Sequence, residues 1–214
     1  FDHAMDKIAV KAADLQQAFD AFRARQVEGD GSVPTEDKQE LRKRLKSLDE
    51  ELNLHLASEY GVAPSKKDVY AKWLKSHQPF HWFVEFYGII SAGGFDVIIG
   101  NPPYVELSAL DDYELRGFEC EESGNLYALV IERCGALGRK DGRQGYIVPV
   151  SSVSTDRYAT LQQLLARRED YYSSYDDRPS RLFDGLEHIR LTIHILGRPT
   201  HAPQLFSTRY SKWM

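Results

Sequence analysis

Asn101, Pro102, Pro103 and Tyr104 form the stretch whose residue types and spacing are best suited to chemistry. An amine on a heteroaromatic ring is a poor nucleophile, because its lone pair is delocalised into the ring. Two acceptors, each taking one amine hydrogen, draw the nitrogen towards a tetrahedral shape and free that lone pair. The side-chain carbonyl of Asn101 and the backbone carbonyl of Pro102 can supply both, and the consecutive prolines hold the backbone angles around them. Pro103 would then lie against the substrate, and Tyr104 would stack on its flat face. No His, Glu or Lys is needed before the amine attacks, so the rate gain comes from positioning and fixed dipoles. Asn-Pro-Pro can also close an ordinary turn, with Asn as the local hydrogen-bonding residue.

What precedes the motif positions it. FDVIIG, residues 95–100, is a short apolar run rich in Val and Ile that ends at a glycine, the pattern of a buried parallel strand. A helix cannot continue through the prolines, which lack an N–H and push the preceding residue out of the α region. Ligands of open α/β sheets bind beyond the carboxyl ends of strands, where Asn101 and Tyr104 fall.

Downstream of Asn125, residues Leu126, Leu129, Val130, Arg133, Cys134 and Leu137 recur at helical spacing. Lys140, Asp141 and Gly142 end that helix, and residues 144–149 read as the next strand. Strand, connection, helix, strand is the grammar of a parallel sheet. Residues 150–155 read as a polar loop, with Thr155 capping a helix that bears Tyr158, Leu161, Leu164 and Leu165. Residues 171–175 read as another strand. Residues 189–195 alternate cleanly and are expected as a half-buried antiparallel strand near the sheet edge, with His194 outward and His188 in a loop. The acidic stretch 105–124 reads as a loop: a lid, an interdomain contact or plain surface.

Residues 1 to about 60 are helical in character. Ile8, Leu15, Phe19 and Phe22 suggest one helix, residues 27–34 a break, and Thr35 the cap of a second helix carrying Leu41, Leu45, Leu48, Leu52 and Leu56. Two such helices read as an antiparallel hairpin, either a spacer or arm towards DNA or simple packing. A third short helix is expected over 64–78. Residues 79–87 are aromatic and expected to be extended; a base-stacking platform is possible in principle, and core packing is the plainer reading. His81 and Glu85 make no metal constellation on their own.

NPPY after an apolar strand beginning Phe-Asp resembles the catalytic motif of S-adenosylmethionine-dependent amino-methyltransferases. The wider string HWFVEFYGIISAGGFDVIIGNPPYV, continued through NLYALVIERCGALGRKDGRQGYIVPVSSVSTDRYATLQQLL, resembles the Eco57I-like adenine-N6 DNA methylases of combined restriction-modification enzymes. The resemblance covers most of residues 80–196. It implies an α/β fold, a partial Rossmann-like methyltransferase sheet with an N-terminal helical hairpin. It implies S-adenosylmethionine as cofactor, DNA with a flipped adenine as substrate, and Asn101, Pro102 and Tyr104 as catalytic residues. Asn125 and Tyr127 would help shape the cofactor and base pocket, and Phe183 would pack on the second face of the base. The expected division is a helical appendage over 1–78, the catalytic half over 79–198 and an exit segment over 199–214. The cofactor's glycine-rich turn does not follow any strand: Gly93-Gly94 precedes the motif strand, and Gly29 and Gly31 lie between helices. The cofactor-binding region is therefore expected upstream and a target-recognition domain downstream, with this stretch inactive by itself. NPPY also serves protein glutamine-N methyltransferases, and a non-catalytic DNA-binding or assembly module is the reading from another class.

The 214 residues carry a net charge of −5, so the chain lacks the overall basic footprint of a nucleic-acid-binding domain. It has no long apolar run or signal-peptide pattern. Two cysteines, Cys120 and Cys134, make a disulfide framework or a zinc site improbable on count, and a cytoplasmic setting without a metal is expected.

Overall fold

The computed structural model describes residues 2–28, 35–110, 114–178, 183 and 188–212. They form two compact units that part between Ala92 and Gly93. The break expected over 27–34, apart from its first two residues, lies outside the described residues, as do the side chains of Phe19 and Phe22, residues 111–113 and the immediate neighbours of Phe183.

In the first unit, α1 (Asp2–Glu28) and α2 (Thr35–Glu59) form the expected hairpin. Ile8, Ala12 and Leu15 of α1 are buried together with Leu48 and Leu52 of α2, with Leu41 and Leu45 packed at the margin. Lys11 donates to Glu51 at 2.6 and 2.8 Å across the pair. The third helix, α3, spans Lys67–His77 and buries Trp73. Residues 79–87 are not extended. They contain α4 (Trp82–Glu85) and the start of α5 (Tyr87–Ser91). The reason lies in aromatic spacing. Four residues is one helical turn, and Trp82–Phe86 and Phe83–Tyr87 bring their rings to centroid distances of 5.6 and 5.1 Å.

The second unit is a mixed sheet beside helices, an α/β arrangement. β1 (Phe95–Gly100) leads through the motif and two 3-10 turns, Leu107–Ala109 and Glu119–Ser123, to α6 (Leu126–Leu137). Then follow β2 (Gly138–Pro149), the single turn α7 (Ser151–Ser154), α8 (Ala159–Leu165), β3 (Arg168–Asp176), β4 (Leu191–Pro199), β5 (Gln204–Ser207) and β6 (Ser211–Lys212). The strand order is β1-β2-β4-β3-β5, with β6 also pairing β3. β1 is parallel to β2 as expected but is not buried: it lies at the sheet edge, paired on one side only among the described residues, and Val97 and Ile99 are exposed. Gly94, at φ 105°, opens it where a Cβ would collide with the Leu137 carbonyl.

One face of the sheet is covered. Tyr146 and Val148 of β2 and Leu196 of β4 pack with Tyr127, Leu129, Ile131, Leu161 and Leu165 in a single core. On the other face, register aligns Ile99, Gly145, Ile195, Tyr171 and Phe206 in one row across five strands. The four side chains of that row are exposed, Ile99 at 81%.

Several local expectations change in this unit. Lys140, Asp141 and Gly142 lie within β2, which starts directly after α6 and takes an irregular step in register against β1. Ser151–Ser154 form a helical turn where a loop was expected, and the Thr155 side chain makes no cap bond. β4 is interior, antiparallel to both β2 and β3. The strands that displace it from the edge are β3 and the pairings after residue 198, where an exit segment was expected. His194 points inward and is fully buried. Its Nδ1 faces Asp170 at 3.0 and 3.1 Å and its Nε2 faces Ser152 at 3.3 Å, so both ring nitrogens are satisfied in the core.

Candidate active site

Asn101 stands at the carboxyl end of β1, exposed, followed by buried Pro102, exposed Pro103 and partly buried Tyr104. β1 thus hands its chain straight to a segment whose first side chain is an exposed amide. Tyr104 turns back to that amide: its hydroxyl lies 2.7 Å from Asn101 Oδ1 and 2.9 Å from the Ile147 carbonyl of β2. Burial pushes the Tyr104 hydroxyl up to about 12, so it keeps its proton and donates. The amide oxygen has two lone pairs, so the bond to Tyr104 leaves one for another hydrogen.

Beside Asn101 opens a cavity of about 670 Å³, lined by Ile99, Gly145, Ile147, Ile193, Ile195 and Phe183 among others. Phe183 and Asn101, 82 positions apart in sequence, therefore border one space of the size that holds a small flat ligand.

Asn125 and Tyr127 support the motif from behind. Asn125 Oδ1 accepts from the Tyr127 backbone N–H and caps α6, while its Nδ2 donates to Glu106. Tyr127 is fully buried, stands edge-on to Tyr104 with centroids 6.3 Å apart, and stacks on Tyr158 at 5.2 Å. Burial raises its hydroxyl pKa strongly.

No sequence pattern pointed to the Ile147 carbonyl, Glu106, Arg157 or Tyr158. Arg157 reaches Glu106 across 51 positions, and only the fold reveals the pairing. The Asp170–His194–Ser152 chain was missed too. It has the order of a nucleophile relay, yet Ser152 and His194 are fully buried and Asp170 is 3% exposed. No substrate can reach that serine, so the chain ties β3, β4 and α7 together.

A cradle for S-adenosylmethionine requires a glycine turn leading from a strand into a helix. Here β1 runs into Pro102 and Pro103, and β2 runs into Val150 and the four-residue turn α7. The described residues do not fit such a cradle. No helix among them is long and apolar enough to cross a membrane.

A candidate type II restriction enzyme and methyltransferase of Methanocaldococcus jannaschii is 35% identical over 88 residues, 41% of this chain and 8% of that protein. A candidate class I S-adenosylmethionine-dependent methyltransferase from Listeria monocytogenes aligns in structure at 16% identity and TM-score 0.37, covering 53% of this chain and 36% of its own. A DrdV–DNA complex aligns at 12% identity and TM-score 0.47, covering 61% of this chain and 16% of that one. The chain thus spans a small part of the length of these relatives. The family model described as Eco57I restriction-modification methylase matches residues 1–183. This chain belongs to the Eco57I restriction-modification methylase family.

Proposed function

We propose that this chain holds the exocyclic N6 amine of a flipped adenine in DNA while it receives a methyl group, as part of a restriction-modification enzyme. The observation that carries the reading is the Asn101 carbonyl, oriented by Tyr104 at a strand's carboxyl end and opening onto an apolar cavity. Asn101 Oδ1 and the Pro102 carbonyl each accept one amine hydrogen, which localises the nitrogen lone pair. Pro103 and Tyr104 border one face of the base, and Phe183 packs on the other. The amine of a paired base is out of reach in a duplex, so the nucleotide leaves the stack first. Asn125 and Tyr127 act behind the pocket, by holding Tyr104 and the segment after it.

The donor implied by the family is S-adenosylmethionine, which supplies an electrophilic methyl group. Its cradle would come from a cofactor-binding region of the same polypeptide. A target-recognition region would supply the basic DNA surface that a net charge of −5 does not. The aliphatic lining and Phe183 favour a flat ring over a glutamine amide, which would leave the cavity unfilled.

The test is transfer of tritiated methyl from S-adenosylmethionine to unmethylated DNA of mixed sequence. It compares the complete protein with its Asn101→Ala variant. Label on adenine, lost in the variant, supports the reading. Label on a protein glutamine instead moves the assignment to an amide substrate. A complete protein that binds neither S-adenosylmethionine nor DNA would leave an assembly role.

A further inference from the structure

Directly after Tyr104 the chain is held in a way the amine-binding step does not itself require. Val105 and Leu107 make two backbone bonds to the start of α6: Leu126 N–H to the Val105 carbonyl at 2.8 Å and Leu107 N–H to the Gly124 carbonyl at 2.8 Å. Between them Glu106 forms an isolated antiparallel bridge with Asn125. The Glu106 carboxylate is divided, one oxygen accepting from Asn125 Nδ2 at 3.1 Å and the other from Arg157 Nη2. Hydrogen bonds from Arg157 and then Asn125 hold the Glu106 carboxyl below its usual range, so it stays ionised near neutral pH.

Gly124 makes the approach possible. It takes φ 62°, and the Arg157 guanidinium occupies the space where a Cβ would stand. Arg157 also lies 5.9 Å from the Tyr158 ring centre. Tyr158 stacks on Tyr127, and Tyr127 meets Tyr104 edge-on. The circuit therefore closes. From Tyr104 it runs along the backbone to Glu106, across to Arg157, and back through two rings to Tyr104. A lone ion pair of half-exposed side chains adds little to stability. One that joins the residue two places after Tyr104 to the rings supporting Tyr104 restricts the geometry of the motif.

We propose that Glu106 and Arg157 are a positioning pair that fixes the Asn101–Tyr104 segment for the amine, an inference that rests on the amine-methyltransferase reading of this site. Neither residue touches the substrate. Their effect is on how often Asn101 Oδ1 and the Tyr104 ring are correctly placed when the base is bound. Misplacement of about 1 Å at a reacting centre costs up to about a hundredfold in rate, so a loosened motif lowers kcat more than it raises KM.

The experiment uses the complete protein and charge reversal: Glu106→Arg, Arg157→Glu and the double variant that exchanges the charges. Tritium-methyl transfer to DNA gives kcat and KM, and hydrogen exchange by mass spectrometry reports the peptides around 105–107 and 124–126. The expected result is a fall in kcat of about 10- to 100-fold in each single variant. KM for DNA should stay within about threefold, those two peptides should exchange faster, and the double variant should recover part of kcat, the hydrogen bond from Asn125 staying lost. Single variants with unchanged kcat overturn the pair while leaving the methyltransferase reading intact. So do losses that the exchange of charges fails to recover in a folded protein. A complete protein that labels no adenine overturns that reading, and the positioning pair with it.

Discussion

The Tyr104 hydroxyl lies 2.7 Å from Asn101 Oδ1, and the same hydroxyl lies 2.9 Å from the Ile147 carbonyl. One proton serves two acceptors, one in the motif and one on the neighbouring parallel strand. Tyr104 therefore registers the Asn101 amide against β2 as well as offering a ring. Tyr104→Phe keeps the ring and removes that registration. Loss of this hydrogen bond shared between two acceptors predicts a fall in kcat of about three- to tenfold with folding unchanged. Tyr104→Ala should lose a further ~1–3 kcal/mol of base stacking. Steady-state methyl transfer by both variants, with melting curves alongside, checks the difference.

Asn101 is exposed and caps no helix, so its replacement should spare the fold. Asn101→Ala should lower methyl transfer by about 10²- to 10³-fold, the cost typical of removing one preorganised polar group. Binding of DNA, measured by filter retention, should change far less. Equal losses in binding and rate would assign Asn101 to recognition instead.

Asp170 and His194 carry a different cost. Removing either leaves a buried polar partner unsatisfied, and Asp170→Ala or His194→Ala should destabilise the sheet unit by roughly 2–4 kcal/mol. Denaturant unfolding measures it. Ser152, buried beneath them, should not react with a fluorophosphonate reagent in the folded protein.

The cysteines give a pH-dependent readout. Burial, reinforced by Glu132, pushes the Cys120 thiol up to about 12, and burial also raises Cys134. A free cysteine is roughly one quarter thiolate at pH 8, whereas a group titrating near 12 is about one part in 10⁴. Because a raised pKa withholds the nucleophilic form, iodoacetamide at pH 8 should label Cys120 only after denaturation. Rapid native labelling, detected by mass spectrometry, would show that the Cys120 region opens.

The two faces of the sheet unit should answer truncation differently. Ile131 is fully buried in the core, and Ile131→Ala should cost ~2–5 kcal/mol. Ile99 is 81% exposed, and Ile99→Ala should stay within about 0.5 kcal/mol. Unfolding midpoints of matched variants compare them.

Much of the architecture was legible because it depends on local pattern. The apolar run of β1 and the two prolines determine a strand that stops at Asn101, but not its burial, since β1 is an edge strand with Val97 and Ile99 exposed. The recurring leucines of α2 determine its buried stripe, and the apolar spacing after Asn125 determines α6. The family resemblance was likewise carried by contiguous residues. The aromatic run 79–87 misled, since rings four apart stabilise helical turns as readily as they populate strands.

What the tertiary structure alone decided is which distant residues meet. The alternation of residues 189–195 marks a strand but cannot tell an edge from an interior position. The pairing of β4 with both β2 and β3 does that. His194 has the same alternating signal whether it faces water or the core. It is buried here because Asp170, 24 positions away, and Ser152, 42 positions away, satisfy its ring. The union of Phe183 with Asn101, and of Glu106 with Arg157, follows the same rule. Local propensity is set by neighbours in the chain, whereas polar side chains in a site are stabilised by partners that only the folded sheet brings within hydrogen-bonding distance.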